Sequence, residues 1–140
     1  MKVKGIDHIG IAVKKIDQAM DFYRKGLHLE LGGREDIPER HLKVGFVETG
    51  NTRLELIEST SDESAIAKYI AKKGEGIHHI CLVVDNIDEA LDQMKEEGFA
   101  LIDNEPKPGA QGSRIAFVHP KSSGGVLIEL KEYANKENKS

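Results

Sequence analysis

Two histidines and two glutamates stand at matching places in two copies of one sequence pattern. Imidazoles with carboxylates are donors that hold divalent transition metals. The stretch DHIGIAVKKIDQAMDFYR, residues 7–24, matches HHICLVVDNIDEALDQMK, residues 78–95, at an offset of 71. KVGFVE (43–48) matches RIAFVH (114–119) at the same offset. RLELIE (53–58) matches LIELKE (127–132) at an offset of 74, the second copy having a longer turn. His8 therefore corresponds to His79, and Glu55 to Glu129. A duplicated fold with pseudo-two-fold symmetry brings equivalent side chains towards one axis. Four such donors converging there describe a site for one divalent ion.

Hydrophobic period assigns the elements that must position them. The first copy reads as strand 5–13, helix 16–25 stopped by Gly26, strand 27–31, loop 32–40, strand 41–48, a Gly50-Asn51 turn and strand 52–58. A helix over 62–73, capped by Ser61 or Asp62, joins the copies. The second copy reads as strand 76–84, helix 87–97, strand 99–102, strand 113–119, a turn over 122–125 and strand 126–132. Each half is thus βαβββ. Side chains alternate between the two faces of a strand. Ile9, Ile11 and Val13 pack on the helix, leaving His8, Gly10 and Ala12 on the other face. Ile80, Leu82 and Val84 likewise leave His79, Cys81 and Val83 opposite, which selects His79 over His78. Leu54 and Leu56, and Ile128 and Leu130, turn Glu55 and Glu129 away from the helices. Glu58 and Glu132 fall on the helix side near strand ends, and are expected to be solvated.

A histidine beside apolar residues is usually a hydrogen-bonded core residue, whereas an unpaired carboxylate in an apolar strand is costly to bury. Four such residues at repeat-equivalent positions on one face favour a metal. His28 and His41 sit in polar contexts and read as surface residues. His119, before Pro120, reads either as fixing a loop or as touching a substrate. The run KPGAQGSR (107–114) has two glycines that let its backbone N–H groups approach an anion, or else is a plain turn.

The chain has 140 residues, enough for one domain built from two halves that share a core. The expected boundaries are an N-terminal module over about 5–60, the linker helix 62–73, a C-terminal module over about 76–133 and a polar tail, 134–140. Twenty basic residues against 24 acidic ones, without a basic block, argue against a nucleic-acid partner. No long apolar run or targeting-type N-terminus is evident, and Cys81 is the single cysteine. Cytoplasmic localisation without a membrane partner is the expectation.

Taken together, DHIGIAV, LELIE, GIHHICLVV and GGVLIEL resemble the vicinal oxygen chelate superfamily. Within it the chain is similar to the methylmalonyl-CoA epimerases from Ile6 to Tyr133, including GNTRLELIE, DESAIAKYI and NEPKPGAQGSRIAFVHPKSSGGVLIEL. The resemblance implies an α+β fold of two tandem βαβββ modules forming a curved, partly closed, eight-stranded mixed sheet around a central metal, in a homodimer. It implies His8, Glu55, His79 and Glu129 as ligands of one divalent ion per chain. Cobalt is favoured by the resemblance, with Zn2+, Ni2+ or Mn2+ also compatible with the donors. Some relatives have Gln where this chain has Glu55, so the site here carries an additional negative charge. The implied reaction is interconversion of (R)- and (S)-methylmalonyl-CoA, an acyl-CoA thioester, by proton abstraction at C2 through a metal-stabilised enolate. Glu129 doubles as ligand and base. The family's second proton-transfer glutamate aligns with Val44. Glu48, four residues on and on the same face, reads either as that second catalytic group or as a hairpin-end surface charge. Alternatives with the same fold are a glyoxalase I-type lactoylglutathione lyase and a metal-free, drug-sequestering binder. A ring-cleaving dioxygenase is disfavoured by the fourth ligand.

Overall fold

The structure, a computed structural model, describes residues 1–134. Beyond Ala134, the expected polar tail lies outside the described residues. The elements are β1 (Val3–Val13), α1 (Ile16–Asp21), β2 (Leu31–Ile37), β3 (Leu42–Glu48), β4 (Arg53–Ser59), α2 (Ala65–Lys73), β5 (Gly76–Val84), α3 (Ile87–Glu96), β6 (Lys107–Pro108), β7 (Arg114–Val118) and β8 (Ile128–Glu132). The described residues fall into two compact units, His8–His78 and Met1–Asp7 with the described residues from His79 onwards.

In the unit His8–His78 the hydrogen-bonded neighbours run β2-β3-β4-β1, with β1 parallel to β4 and the other pairs antiparallel. Ile11 and Val13 pack with Ile16, Met20, Val47, Leu54 and Leu56 on the α1 side. Ala12, Val44, Phe46 and Ile57 form a second cluster with Ile66 of α2. The strands are therefore two-faced, as their alternation requires.

In the other unit the order is β6-β7-β8-β5, with β5 parallel to β8 and the other pairs antiparallel. Val84, Ala116, Val118 and Leu130 bury Ile87, Ala90 and Leu91 of α3. The registers of the two units are equivalent. Gly10 faces Glu55 as Cys81 faces Glu129. Phe46 faces Glu55 as Phe117 faces Glu129.

Four expectations are corrected. First, α1 ends at Asp21, and Phe22–Gly26 widens into a π-type turn that closes with His28 in the left-handed region at φ 59°. That turn uses the residues expected to begin a strand. The strand is instead β2, on the stretch read as loop. It is an outer strand with most residues exposed, so it shows no apolar alternation. Second, 99–102 contributes only a bridge from Leu101 to Val118. Phe99 and Ile102 are half exposed, and the Phe117 amide donates to Asp103 Oδ2 at 2.8 Å instead of to a strand. Third, the linker helix begins later. Ser64 is its cap, accepting from the Ala67 amide at 3.0 Å. Fourth, Glu58 and Glu132 lie on the helix side but are not solvated. Glu58 Oε1 accepts the Ile16 amide at 2.9 Å and Glu132 Oε1 the Ile87 amide at 2.8 Å. Each strand-end carboxylate satisfies an otherwise open N–H at the start of its helix.

Candidate metal centre

β1 and β4 place His8 and Glu55 on one face of their sheet. Gly10, the direct neighbour of Glu55, has no side chain. The imidazole two residues away leans across, and Nδ1 comes to 3.1 Å from Glu55 Oε2. Both residues are buried, His8 at 2 % and Glu55 at 6 % exposure. Arg53, also on this face, donates to the same Oε2 at 3.3 Å, and its guanidinium lies 4.6 Å over the Phe46 ring. One carboxylate oxygen thus serves an imidazole and a guanidinium together.

β5 and β8 build the equivalent pair. His79 Nε2 lies 2.9 Å from Glu129 Oε1, and both residues are buried. Phe117 meets His79 edge to face at 5.7 Å, and Lys107 lies 5.2 Å over the Phe117 ring. Where the first pair has Arg53, the repeat has Leu127. Where the first has Ile57, the repeat has Lys131.

His8, His79 and Glu129 each offer a buried metal-ligating atom. Adjacent donors of an octahedral ion, each about 2.1 Å from the metal, are about 3 Å apart. The N···O separations of 3.1 and 2.9 Å therefore suit neighbouring positions on one ion. They equally suit a hydrogen bond between neutral imidazole and carboxylate without an ion. Each pair by itself supplies the mixed nitrogen and oxygen donors that a divalent ion takes.

Glu48 ends β3, exposed, opposite Arg53 in the register. His119 is exposed, and its Nδ1 accepts the Lys121 amide at 3.0 Å, which is the loop-fixing role. His28 and His41 are exposed. In the stretch 107–114, β6 is followed by a tight turn, with Gln111 at φ 59° and Ser113 Oγ donating to the Ala110 carbonyl at 2.7 Å. Gly109 is a true packing requirement, since a Cβ there would meet Ile115 Cγ2 at 2.5 Å.

Arg53, Phe46, Phe117 and Lys131 did not stand out in the sequence, though signals were present. The two phenylalanines are identical at the repeat offset, and they stand opposite Glu55 and Glu129. Arg53 and Lys131 sit two residues from Glu55 and Glu129, so alternation alone puts each on its glutamate's face.

The model of the Glyoxalase/Bleomycin resistance protein/Dioxygenase superfamily matches residues 7–117. The chain is 38% identical to the mitochondrial methylmalonyl-CoA epimerase of Bos taurus, over 91% of this chain and 73% of that one. It is 38% identical to the ethylmalonyl-CoA/methylmalonyl-CoA epimerase of Cereibacter sphaeroides, over 91% of this chain and 96% of that one. A methylmalonyl-CoA epimerase solved in complex with methylmalonyl-CoA and NH4+ superposes with a TM-score of 0.87 at 35% identity, covering 95% of this chain and 96% of that one. The fold expected from the duplication is the fold of the chain.

Proposed function

The chain belongs to the Glyoxalase/Bleomycin resistance protein/Dioxygenase superfamily, and from that premise we propose that it is an isomerase that epimerises methylmalonyl-CoA at C2. The observation that carries the reading is the buried histidine–glutamate pair, repeated in the same register in both units. We assign His8, Glu55, His79 and Glu129 to one divalent ion, Co2+ being the first to try. When bound, such an ion would stabilise the negative charge that develops on the thioester and carboxylate oxygens as C2 loses its proton.

The protein's own groups then have distinct tasks. Glu129 receives or returns the C2 proton on one side of the substrate, with His79 Nε2 2.9 Å from its Oε1. Phe117 packs against His79 and restricts the ring. On the other copy, Arg53 fixes Glu55 Oε2 and offsets the charge that Glu55 adds in place of the relatives' Gln. Stereochemical inversion needs a second proton-transfer group on the opposite side of C2. We assign that role to Glu48, which shares a strand face with Val44 and Phe46. The thioester would enter beside the turn 107–114, whose Gly112, at φ 72°, lets backbone amides come near an anion. A homodimer in the cytoplasm completes the reading.

The test is deuterium incorporation at C2 of methylmalonyl-CoA by the Co2+-loaded protein, followed by mass spectrometry together with chiral turnover. Exchange with inversion supports the assignment. Loaded wild-type protein that exchanges no C2 proton sinks it. Turnover of the methylglyoxal–glutathione hemithioacetal in its place points to the lyase. With Glu48→Gln, inversion should fall further than exchange, because exchange needs only one base. If neither changes, Glu48 is a bystander.

A further inference from the structure

We propose that Asp7, Lys131 and Tyr133 form a buried anchor that positions His8 and Glu129 for the ion. The inference rests on the metal assignment above.

Lys131 is among the largest fully buried side chains, at 1 % exposure, and Asp7 is as deeply buried. Lys131 Nζ lies 3.5 Å from Asp7 Oδ2 and 5.2 Å over the Tyr133 ring. The Tyr133 hydroxyl donates to Asp7 Oδ1. The cluster's places in the chain suggest its purpose. Asp7 is joined directly to His8, and Lys131 follows Glu129 by two residues on the same strand face. Lys131 has Val83 and Ile115 as its neighbours across the sheet, so the strand pairing around the ammonium is apolar.

The other copy shows that the fold does not need this cluster. The residues equivalent to Lys131, Asp7 and Tyr133 are Ile57, His78 and Ser59. Ile57 simply joins an apolar core. A buried ion pair generally stabilises a fold no more than apolar side chains of similar size, so stability alone does not account for it. What an ion pair with a hydroxyl donor supplies is fixed geometry. Groups that orient metal ligands through such contacts commonly change metal affinity about 10–100-fold when removed. These three are positioning residues, with no direct part in the proton transfer.

The experiment titrates Co2+ by calorimetry into chelator-stripped wild type, the double variant Asp7→Asn/Lys131→Met, and Tyr133→Phe. The double variant leaves no unpaired buried charge, so its fold should hold, as circular dichroism and Tm will show. It should bind Co2+ at least about tenfold more weakly than wild type with Tm little changed. Its kcat should fall while KM stays near wild type. Tyr133→Phe keeps the ring over Lys131 and should give a smaller loss of affinity. A folded double variant that binds Co2+ within about twofold of wild type overturns the inference. If the double variant does not fold, Tyr133→Phe decides by the same twofold limit. Wild type that binds no Co2+ removes the metal assignment and the anchor together, which separates that failure from the failure of the anchor alone.

Discussion

The two copies of the histidine–glutamate pair share strand register and contact distance, yet differ in the cation each keeps nearby. Beside Glu55 it is Arg53, bonded to the carboxylate and stacked on Phe46. Beside Glu129 the equivalent position is Leu127, and the charged residue is instead Lys131, turned to Asp7. The pairing of β1 with β4 and of β5 with β8 preserves what every copy must do, which is to hold a donor pair. The residues two positions either side of the glutamate carry what has diverged. In this reading Arg53 neutralises Glu55, whereas Glu129 is the group that takes the proton. Duplication supplies the scaffold, and asymmetry between the copies supplies the division of labour.

The sharpest way to break that comparison is to remove each glutamate. Glu129→Ala and Glu55→Ala should both lose most bound metal, measured by elemental analysis after dialysis. In the proposed mechanism only Glu129 of these two is also a base, so at saturating Co2+ Glu129→Ala should remain about 10²–10⁴-fold slower in C2 exchange. Glu55→Ala should recover a larger share of its rate. Equal recovery would show that the copies are catalytically interchangeable.

Replacing Arg53 with Leu makes the first copy resemble the second. In the proposed site it removes a cation from a carboxylate that also holds the metal ion. Co2+ affinity should rise, by up to about tenfold, since the partly screened guanidinium no longer competes for Glu55 Oε2. A fall in affinity would mean that Arg53 chiefly orients the carboxylate.

Glu58 and Glu132 are the conserved side of the comparison, doing the same task in both copies. Glu58→Ala or Glu132→Ala should each lower stability by about 1 kcal/mol through loss of a helix-start acceptor, read by urea unfolding. Metal content should stay intact in both, because these carboxylates face the helices. Metal loss matching that of Glu55→Ala would show the strand faces to be wrongly assigned.

How much of this was legible in the sequence depended on burial. Strands with one apolar face, those bearing His8, Glu55, His79 and Glu129, announced their register through alternation. The outer strand at Leu31–Ile37 is solvent-washed, and a polar edge reads as a loop. Alternation also gave the face of Glu58 and Glu132 without revealing their partners. A helix start has open amides, but only three-dimensional placement shows which side chain meets them. Lys131 was hidden for a related reason. A lysine in a strand reads as surface until its aspartate, 124 positions away, is found beside it.

The smallest effect concerns Asp17 and Asp88, identical at the repeat offset and each in the first turn of its helix. Arg34 of the outer strand reaches Asp17 through one nitrogen, while Arg114 grips Asp88 with two, at 2.9 and 3.0 Å. The Arg114 hydrogen bonds hold the Asp88 carboxyl below its ordinary range, and the aspartate raises the guanidinium in turn. Because the folded-state value is depressed, the stabilisation is present above the unfolded carboxyl's pKa of about 3.9 and disappears as pH falls through the lower folded value. Both partners are exposed, so solvent and salt screen the pair. Asp88→Asn should therefore lower Tm slightly at pH 7, less so in about 1 M salt, and not at all at a pH below the folded value. A Tm loss that persists in acid would mean that the contribution of Asp88 does not come from its charge. That would leave the two copies equivalent at this position too.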